Sequence, residues 1–215
     1  MPSVFIYVVD RDFGFAPNPF HGYCTLATCK PGIRKSAQIG DWVIGMGGSR
    51  LNATGQCVFA MEITAKVSFD EYWTNPIYNE KKPVRNGSRK MMVGDNIYHR
   101  DPSTDEWRQA DSHHSNSDGT ANSHNLSRDT KVDRVLLSNR FFYFGKAAAR
   151  VPQPILDQID YKNPRSYRRF DYQNAQPLLD WLQLNFRKSI NELVADPFDF
   201  TESGRRYSGK GSKII

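Results

Sequence analysis

The apolar positions of this chain come in short blocks separated by long polar stretches. Residues 4–9 (VFIYVV) are an unbroken β-branched and aromatic run, which predicts a buried central strand. A Gly40–Asp41 turn leads into a second strand over residues 42–46 (WVIGM). Residues 56–69 alternate. Val58, Ala60, Glu62, Thr64 and Lys66 share one parity, and Phe59, Met61, Ile63 and Ala65 the other, so one long strand with one buried face is expected. A short strand is expected at 91–93. Residues 132–144 (VDRVLLSNRFFYF) give the last strong strand signal, broken at Ser138–Asn139 into two short strands or one bulged strand.

Helical signals are shorter. Residues 24–27 read as the start of a short helix and 33–38 as a helical turn. Ser68 precedes Asp70 and Glu71, the pattern of a capped helix over 68–75. Residues 151–159 carry Pro152 near a helix start. The clearest helix spans 173–194, with Leu178, Leu179, Leu182, Phe186, Ile190 and Leu193 at helical spacing. The Gly-, Ser- and base-rich tail over 202–213 reads as mobile.

Between these blocks lies a polar middle, 94–133, which holds His99, His113, His114 and His124. Between Asp101 and Thr130 its large apolar side chains are Trp107 and Leu126 alone. Compact domains seldom carry connections beyond about 12–15 residues unless these are functional or disordered. Its imidazole and aromatic groups argue for a site-forming loop. Strands first and helices last predict an α+β fold. The expected form is a small curved or closed β-barrel decorated by short helices, made by residues 1–150, with 151–215 as a helical extension ending in a basic tail.

Composition narrows the class. Hydrophobic residues make up 39% and aromatics 13%, so some of the ten Tyr and thirteen Phe must lie at surfaces or in pockets. The formal charge of +6 tilts the partner toward nucleic acid or nucleotide. Cys24, Cys29 and Cys57 form no disulfide framework and no CxxC pair, so reduced thiols are expected. No stretch approaches the roughly 18 apolar residues of a membrane span, and no signal peptide is read, which places the chain in the cytoplasm without a membrane partner.

Four constellations could carry chemistry. In FGFAPNPFHGY, Phe13, Phe15, Phe20 and His21 supply flat faces beside Asn18, as recognition of a heterocycle requires; a hydrophobic cluster beneath a turn is the competing reading. In GDNIYHRD and DSHHS, the candidates are Asp95, Asn96, Tyr98, His99, Asp101, Asp111, His113 and His114. No metal motif is legible there, and no cofactor is expected. Adjacent His113 and His114 on an extended chain would point opposite ways. The third is DTKVDR, where Asp129 or Asp133 could pair with Arg134 or Arg100. The fourth comprises three basic stretches, 81–90, 162–169 and 205–213, whose phosphate-contact candidates are Lys81, Lys82, Arg85, Arg89, Lys90, Arg168 and Arg169. Cys24 lies near His21, but nothing there marks a nucleophile.

The segments RDFGFAPNPFHGYCTLATCKPGIR, GDWVIGMG, FDEYW, GSRK, GDNIYHRD, DSHHS and DTKVDRVLLSNRFFYFG together resemble the nucleotide modification associated domain family, second type. That resemblance implies a context of nucleic-acid base modification or phage defence. The order of strand, aromatic loop and GDWV also resembles the EVE, ASCH and YTH relatives of the PUA-like barrel, which hold a modified base. It implies that Trp42 and the FGFAPNPFH loop flank a pocket.

The leading expectation is a binding module for a modified nucleobase or nucleotide. Phe13, Phe15 and Phe20 would wall the pocket, and Asn18, His21, Asp95, Asn96 and His99 would read polar edges. The alternative is an enzyme acting on a nucleotide or nucleic acid, with His99, Asp101, His113 or Asp133 as acid, base or ligand. A partner-binding protein whose polar middle orders on contact is a third. The pocket reading requires His99 and His113 to lie near His21 and Trp42.

Overall fold

The computed structural model describes residues 2–211 and 213–215. In chain order its elements are β1 (Ser3–Val9), β2 (Cys24–Leu26), α1 (Pro31–Ser36), β3 (Trp42–Gly47), β4 (Gln56–Glu62), β5 (Ala65–Val67), α2 (Phe69–Thr74), α3 (Arg89–Met92), β6 (Tyr98–Arg100) and β7 (Trp107–Gln109). There follow α4 (Ser123–Thr130), β8 (Val135–Ser138), β9 (Phe141–Tyr143), β10 (Ala149–Arg150), α5 (Gln153–Gln158), β11 (Tyr167–Asp171), α6 (Tyr172–Asn185), β12 (Tyr207–Ser208) and β13 (Lys213–Ile214).

The central sheet runs β10-β4-β3-β1-β11, with β9 also beside β4. Its β1–β3 pair is parallel, and the other pairs are antiparallel. A smaller antiparallel sheet runs β2-β8-β5. The alternation of β1 explains the layering. Val4 and Ile6 pack with Leu178, Leu179 and Leu182 of α6. Phe5, Tyr7 and Val9 face the smaller sheet, against Leu26 and Leu136. The far side of that sheet sends Val135 and Leu137 toward Phe69 and Tyr72 of α2. Fully burying each such large side chain contributes about 1.5–3 kcal/mol, so β1 is held from both faces.

The mixed α+β class is present, but the closed barrel is not. Among the described residues no ladder joins β11 to β9 or β10, so the central sheet stays open. Residues 24–26 are strand rather than helix, because β8 offers them a ladder from Cys24 to Ser138. The alternation of 56–69 belongs to two strands in two sheets, with β4 ending at Glu62 and β5 pairing with β8. Residues 91–93 begin inside α3 rather than in a strand. The break at Ser138–Asn139 does separate two short strands, β8 and β9. Residues 167–171, read only as basic, form β11 on the edge of β1. The long helix ends at Asn185, short of Val194.

The tail expected to be mobile is docked. The Tyr207 amide donates to the His113 carbonyl at 2.7 Å, and Ser203 and Ser208 are buried. The polar middle is likewise no loose loop. Asp95, Asn96, Ser112, His113, His114, Ser115, Asn125 and Asp129 are all buried, most of them hydrogen-bonded to one another or to the elements around them.

Candidate functional site

A cavity of about 370 Å³ opens beyond the end of β1. Tyr7 and Val9 come from that strand, and Arg11, Phe13 and Phe15 from the loop that follows. The turn between β2 and α1 supplies Cys29 and Lys30, and residues 113 and 114 supply two imidazoles. Arg128 reaches in from α4, and Tyr207 from β12. The FGF turn depends on Gly14. Its φ is +73°, and a Cβ there would lie 2.8 Å from the Phe20 ring. Buried Asp12 accepts from the Gly14 amide at 3.2 Å and from the Tyr143 hydroxyl at 2.5 Å. Burial pushes that carboxyl up to about 6.

Three side chains form a line on one wall. His114 Nδ1 donates to Asp129 Oδ2 at 2.9 Å, and its Nε2 lies 3.9 Å from Cys29 Sγ. Asp129 is fully buried and also accepts from Tyr98 Oη, Arg128 Nε and the Cys29 amide, at 3.0, 3.2 and 3.0 Å. Burial would raise this carboxyl, but His114, Arg128 and Arg34 hold it well below the usual carboxylate range. Burial opposes the charge on His114, yet its bond to Asp129, that carboxylate's charge and Cys29 raise it to about 9. Burial likewise acts to raise the Cys29 thiol, and the hydrogen bond from His114, its charge and nearby Arg128 bring it below its usual value. Arg128 Nη2 is 3.8 Å from Sγ.

The backbone is drawn tight around this line. Cys29 and Lys30 both occupy the left-handed region, at φ 58° and 39°. Such residues cost roughly 1–3 kcal/mol each and persist only where their surroundings hold them. Here the Cys29 amide bonds to Asp129 and its carbonyl accepts from Arg34 Nε at 3.0 Å. The same buried guanidinium donates to the carbonyls of Asp129, Val132 and Arg134. Two buried polar atoms beside the line have no hydrogen-bond partner among the described residues: the hydroxyl of Tyr7 and Thr28 Oγ1. Lys30 Nζ sits 4.3 Å from the Tyr7 ring centroid.

His113 behaves differently from its neighbour. Its Nδ1 lies 2.8 Å from the Arg205 carbonyl, and its ring packs on Phe13 and Phe15, with centroids 4.5 and 5.1 Å away. Burial first, then the charge of His114, pushes it down to about 3, so it is neutral. A second concavity of about 520 Å³ lies alongside, its lining including His124, Arg128, Lys131 and Lys210. Arg128 belongs to both. Among the described residues no three His, Cys, Asp or Glu side chains are arranged to hold a metal ion.

A family model described as nucleotide modification associated domain 2 matches residues 1–204 of the 215. The chain belongs to this family. No curated protein and no solved structure shows a significant match to it. No helix is long and apolar enough to cross a membrane among the described residues. Nearly all of the cavity lies inside the nucleotide modification associated domain 2 match, and Tyr207 lies beyond its end.

Of the residues singled out in the sequence, the structure brings Phe13, Phe15, His113 and His114 to the cavity. It does not bring His99, His21 or Trp42 there, so the expected meeting of these three with His113 does not occur and the pocket drawn from the sequence, walled by Trp42 and read by His21 and His99, is not formed. Trp42 is buried on the opposite face of the central sheet, stacked 6.4 Å from Phe142. His21 pairs with Glu80, and His99 stacks on Trp73 at 4.0 Å. Phe20 stacks on Phe200. Asn18 and Asp95 are fully buried in an internal network with Thr25, Tyr72 and Lys81. Asn96 bonds to the Tyr72 carbonyl, and Tyr98 stands behind the cavity on Asp129.

Lys81 is no surface contact. It is buried, with Nζ donating to Asn18 and to the Tyr23 carbonyl, and burial lowers it to about 8 against the pull of Asp95. Lys82 covers the Trp73 ring, and Arg85 bonds to the carbonyls of Met92, Ser203 and Gly204. Arg89 and Lys90 are exposed on α3. Arg168 bonds to the Asp160 carbonyl and Arg169 to Ser3 Oγ. Asp101 accepts from Ser103 and Arg108, and Asp133 from the first amide of α2. His113 and His114 do not diverge, because 112–115 is a turn rather than extended chain, and both rings reach the cavity. Sequence reasoning missed Cys29, Lys30 and Arg128, and it gave Asp129 the partners Arg134 or Arg100 where the structure pairs it with His114 and Arg128. The available signals were slight: a Cys just before Lys-Pro-Gly, and an Arg-Asp pair in a polar helix.

Proposed function

We propose that the protein recognises a modified nucleobase or nucleotide, in DNA or RNA, within a base-modification or phage-defence setting in the cytoplasm. One observation carries this reading: the cavity sets aromatic walls (Tyr7, Phe13, Phe15, Tyr207) against cations (Arg11, Lys30, Arg128) at one site. A base lies against the rings, where stacking is worth roughly 1–3 kcal/mol. Its phosphate meets Arg128, and a continuing strand follows the basic concavity toward Lys131 and Lys210. Family membership and the net charge of +6 support the same reading. The three free thiols suit a reducing compartment.

Calorimetric titration with modified and unmodified nucleoside monophosphates, and with short single strands, tests it. Binding is expected for at least one of them, and Arg128→Gln or Tyr207→Ala should each weaken it about tenfold, which is about 1.4 kcal/mol. Folded protein that binds none of these probes would sink the reading.

A further inference from the structure

We propose that Cys29 is a nucleophile that adds through Sγ to C6 of a pyrimidine ring held in this cavity, with His114 as its proton partner and Asp129 as the residue that positions His114. This deepens the nucleotide-binding reading and rests on it for the substrate. The geometry is that of an activated thiol: Sγ to Nε2 at 3.9 Å, Nδ1 to a buried carboxylate at 2.9 Å, and a cavity lined by Cys29 and His114 themselves. Hydrogen bonds of this kind are often long before a ligand is bound. The left-handed backbone at Cys29, held from both sides by Asp129 and Arg34, fixes the sulfur against that wall.

Two observations select ring addition over acyl transfer. An acyl substrate develops an oxyanion that needs preorganised donors, and a nucleophile's own amide is a ready source of one. Here the Cys29 amide is committed to Asp129 Oδ1 at 3.0 Å. The cavity instead offers flat aromatic walls and cations for a charged, conjugated ring. The step balances without a further reactant. The thiolate pair forms the S–C6 bond, the C5=C6 π pair shifts onto C5 and the ring carbonyl, and the proton of His114 goes to C5. The reverse step returns a C5 proton to His114 and breaks S–C6, so C5 exchanges hydrogen with solvent. Cys24 and Cys57 play no part, being fully buried with thiols pushed up by burial.

Two measurements on the full chain test this. The first is iodoacetamide alkylation across pH, mapped to each cysteine by mass spectrometry. Cys29 should react with a midpoint below the ordinary thiol value of about 8.5, Cys24 and Cys57 should stay unmodified in the native protein, and His114→Asn should move the Cys29 midpoint upward. A wild-type midpoint near that ordinary value, or one that His114→Asn leaves in place, overturns the nucleophile. The second is deuterium uptake at C5 of dUMP and dCMP in heavy water. Uptake is expected with the wild type, is lost in Cys29→Ser although calorimetric binding is kept, and slows by about 100-fold or more in His114→Asn. Binding without uptake, or uptake that persists in Cys29→Ser, overturns the addition. Failure to bind either nucleotide, with a low thiol midpoint, overturns pyrimidine as the substrate and leaves the nucleophile standing.

Discussion

Asp129 takes four hydrogen bonds on two carboxylate oxygens, and its charge sets the state of the histidine beside it. Because His114 is raised to about 9 from an ordinary value near 6.5, its contribution to stability is complete below about pH 6.5 and fades as pH climbs through 9. His114→Gln should therefore cost about 3–5 kcal/mol at mildly acid pH, as removal of one partner from a buried pair does, and the gap to wild type should narrow toward pH 9.5. Urea unfolding at several pH values reads this directly; a gap that does not change with pH would rule out a charged His114. At this scale Phe13, Phe15, His113 and His114 were legible, since rings in a Gly-rich turn and imidazoles in a polar stretch advertise a surface. Lys81 was not, because a lysine in a basic run looks solvated until the fold closes carbonyls around it. Cys29 with Asp129 was not legible either, since the pair spans 100 residues and makes no short motif.

Elements follow local chemistry where local chemistry is decisive. The α2 helix begins at a full capping box, with Ser68 Oγ accepting from the Glu71 amide at 3.1 Å and the Glu71 carboxylate accepting from the Ser68 amide at 2.6 Å. This was readable from Ser68 and its following acids. Ser68→Ala should cost about 1 kcal/mol and lower Tm by about 2–4 °C in scanning calorimetry, leaving nucleotide binding intact. An unchanged Tm would show that tertiary packing of Phe69 and Tyr72 alone holds the helix. Elements set by distant partners were misread. The alternation through Thr64 continues the pattern of β4, yet the chain leaves for the smaller sheet because β8 offers a second ladder. Residues 24–26 are strand for the same reason.

For the whole molecule, the last residues complete a cavity that the rest of the chain begins. Tyr207 lines it, Arg206 bonds to Asp111 and the Ser112 carbonyl, and the Arg205 carbonyl meets His113. The central sheet and the β2-β8-β5 sheet, with the cores on either side of β1, are formed without this segment. Ending the chain at Gly204 should therefore weaken nucleotide binding by tenfold or more, at about 1.4 kcal/mol per decade, while urea unfolding stays a single cooperative transition. Full affinity in the shortened chain would show that the tail only covers the site. The open sheet was not legible as such, because strand signals say nothing of whether the outermost strands meet.

The distance in sequence between Cys29 and its partners also has a meaning in time. At synthesis rates of about 5–20 residues per second, Asp129 leaves the ribosome roughly 5–20 s after Cys29, since the two are 100 residues apart. Arg205 trails His113 by 92 residues. Through that interval the nascent chain carries Cys29 as an ordinary thiol, with no imidazole beside it and no wall around it. The environment of this cysteine thus forms only after Asp129 has emerged, and a product stalled before that residue lacks it.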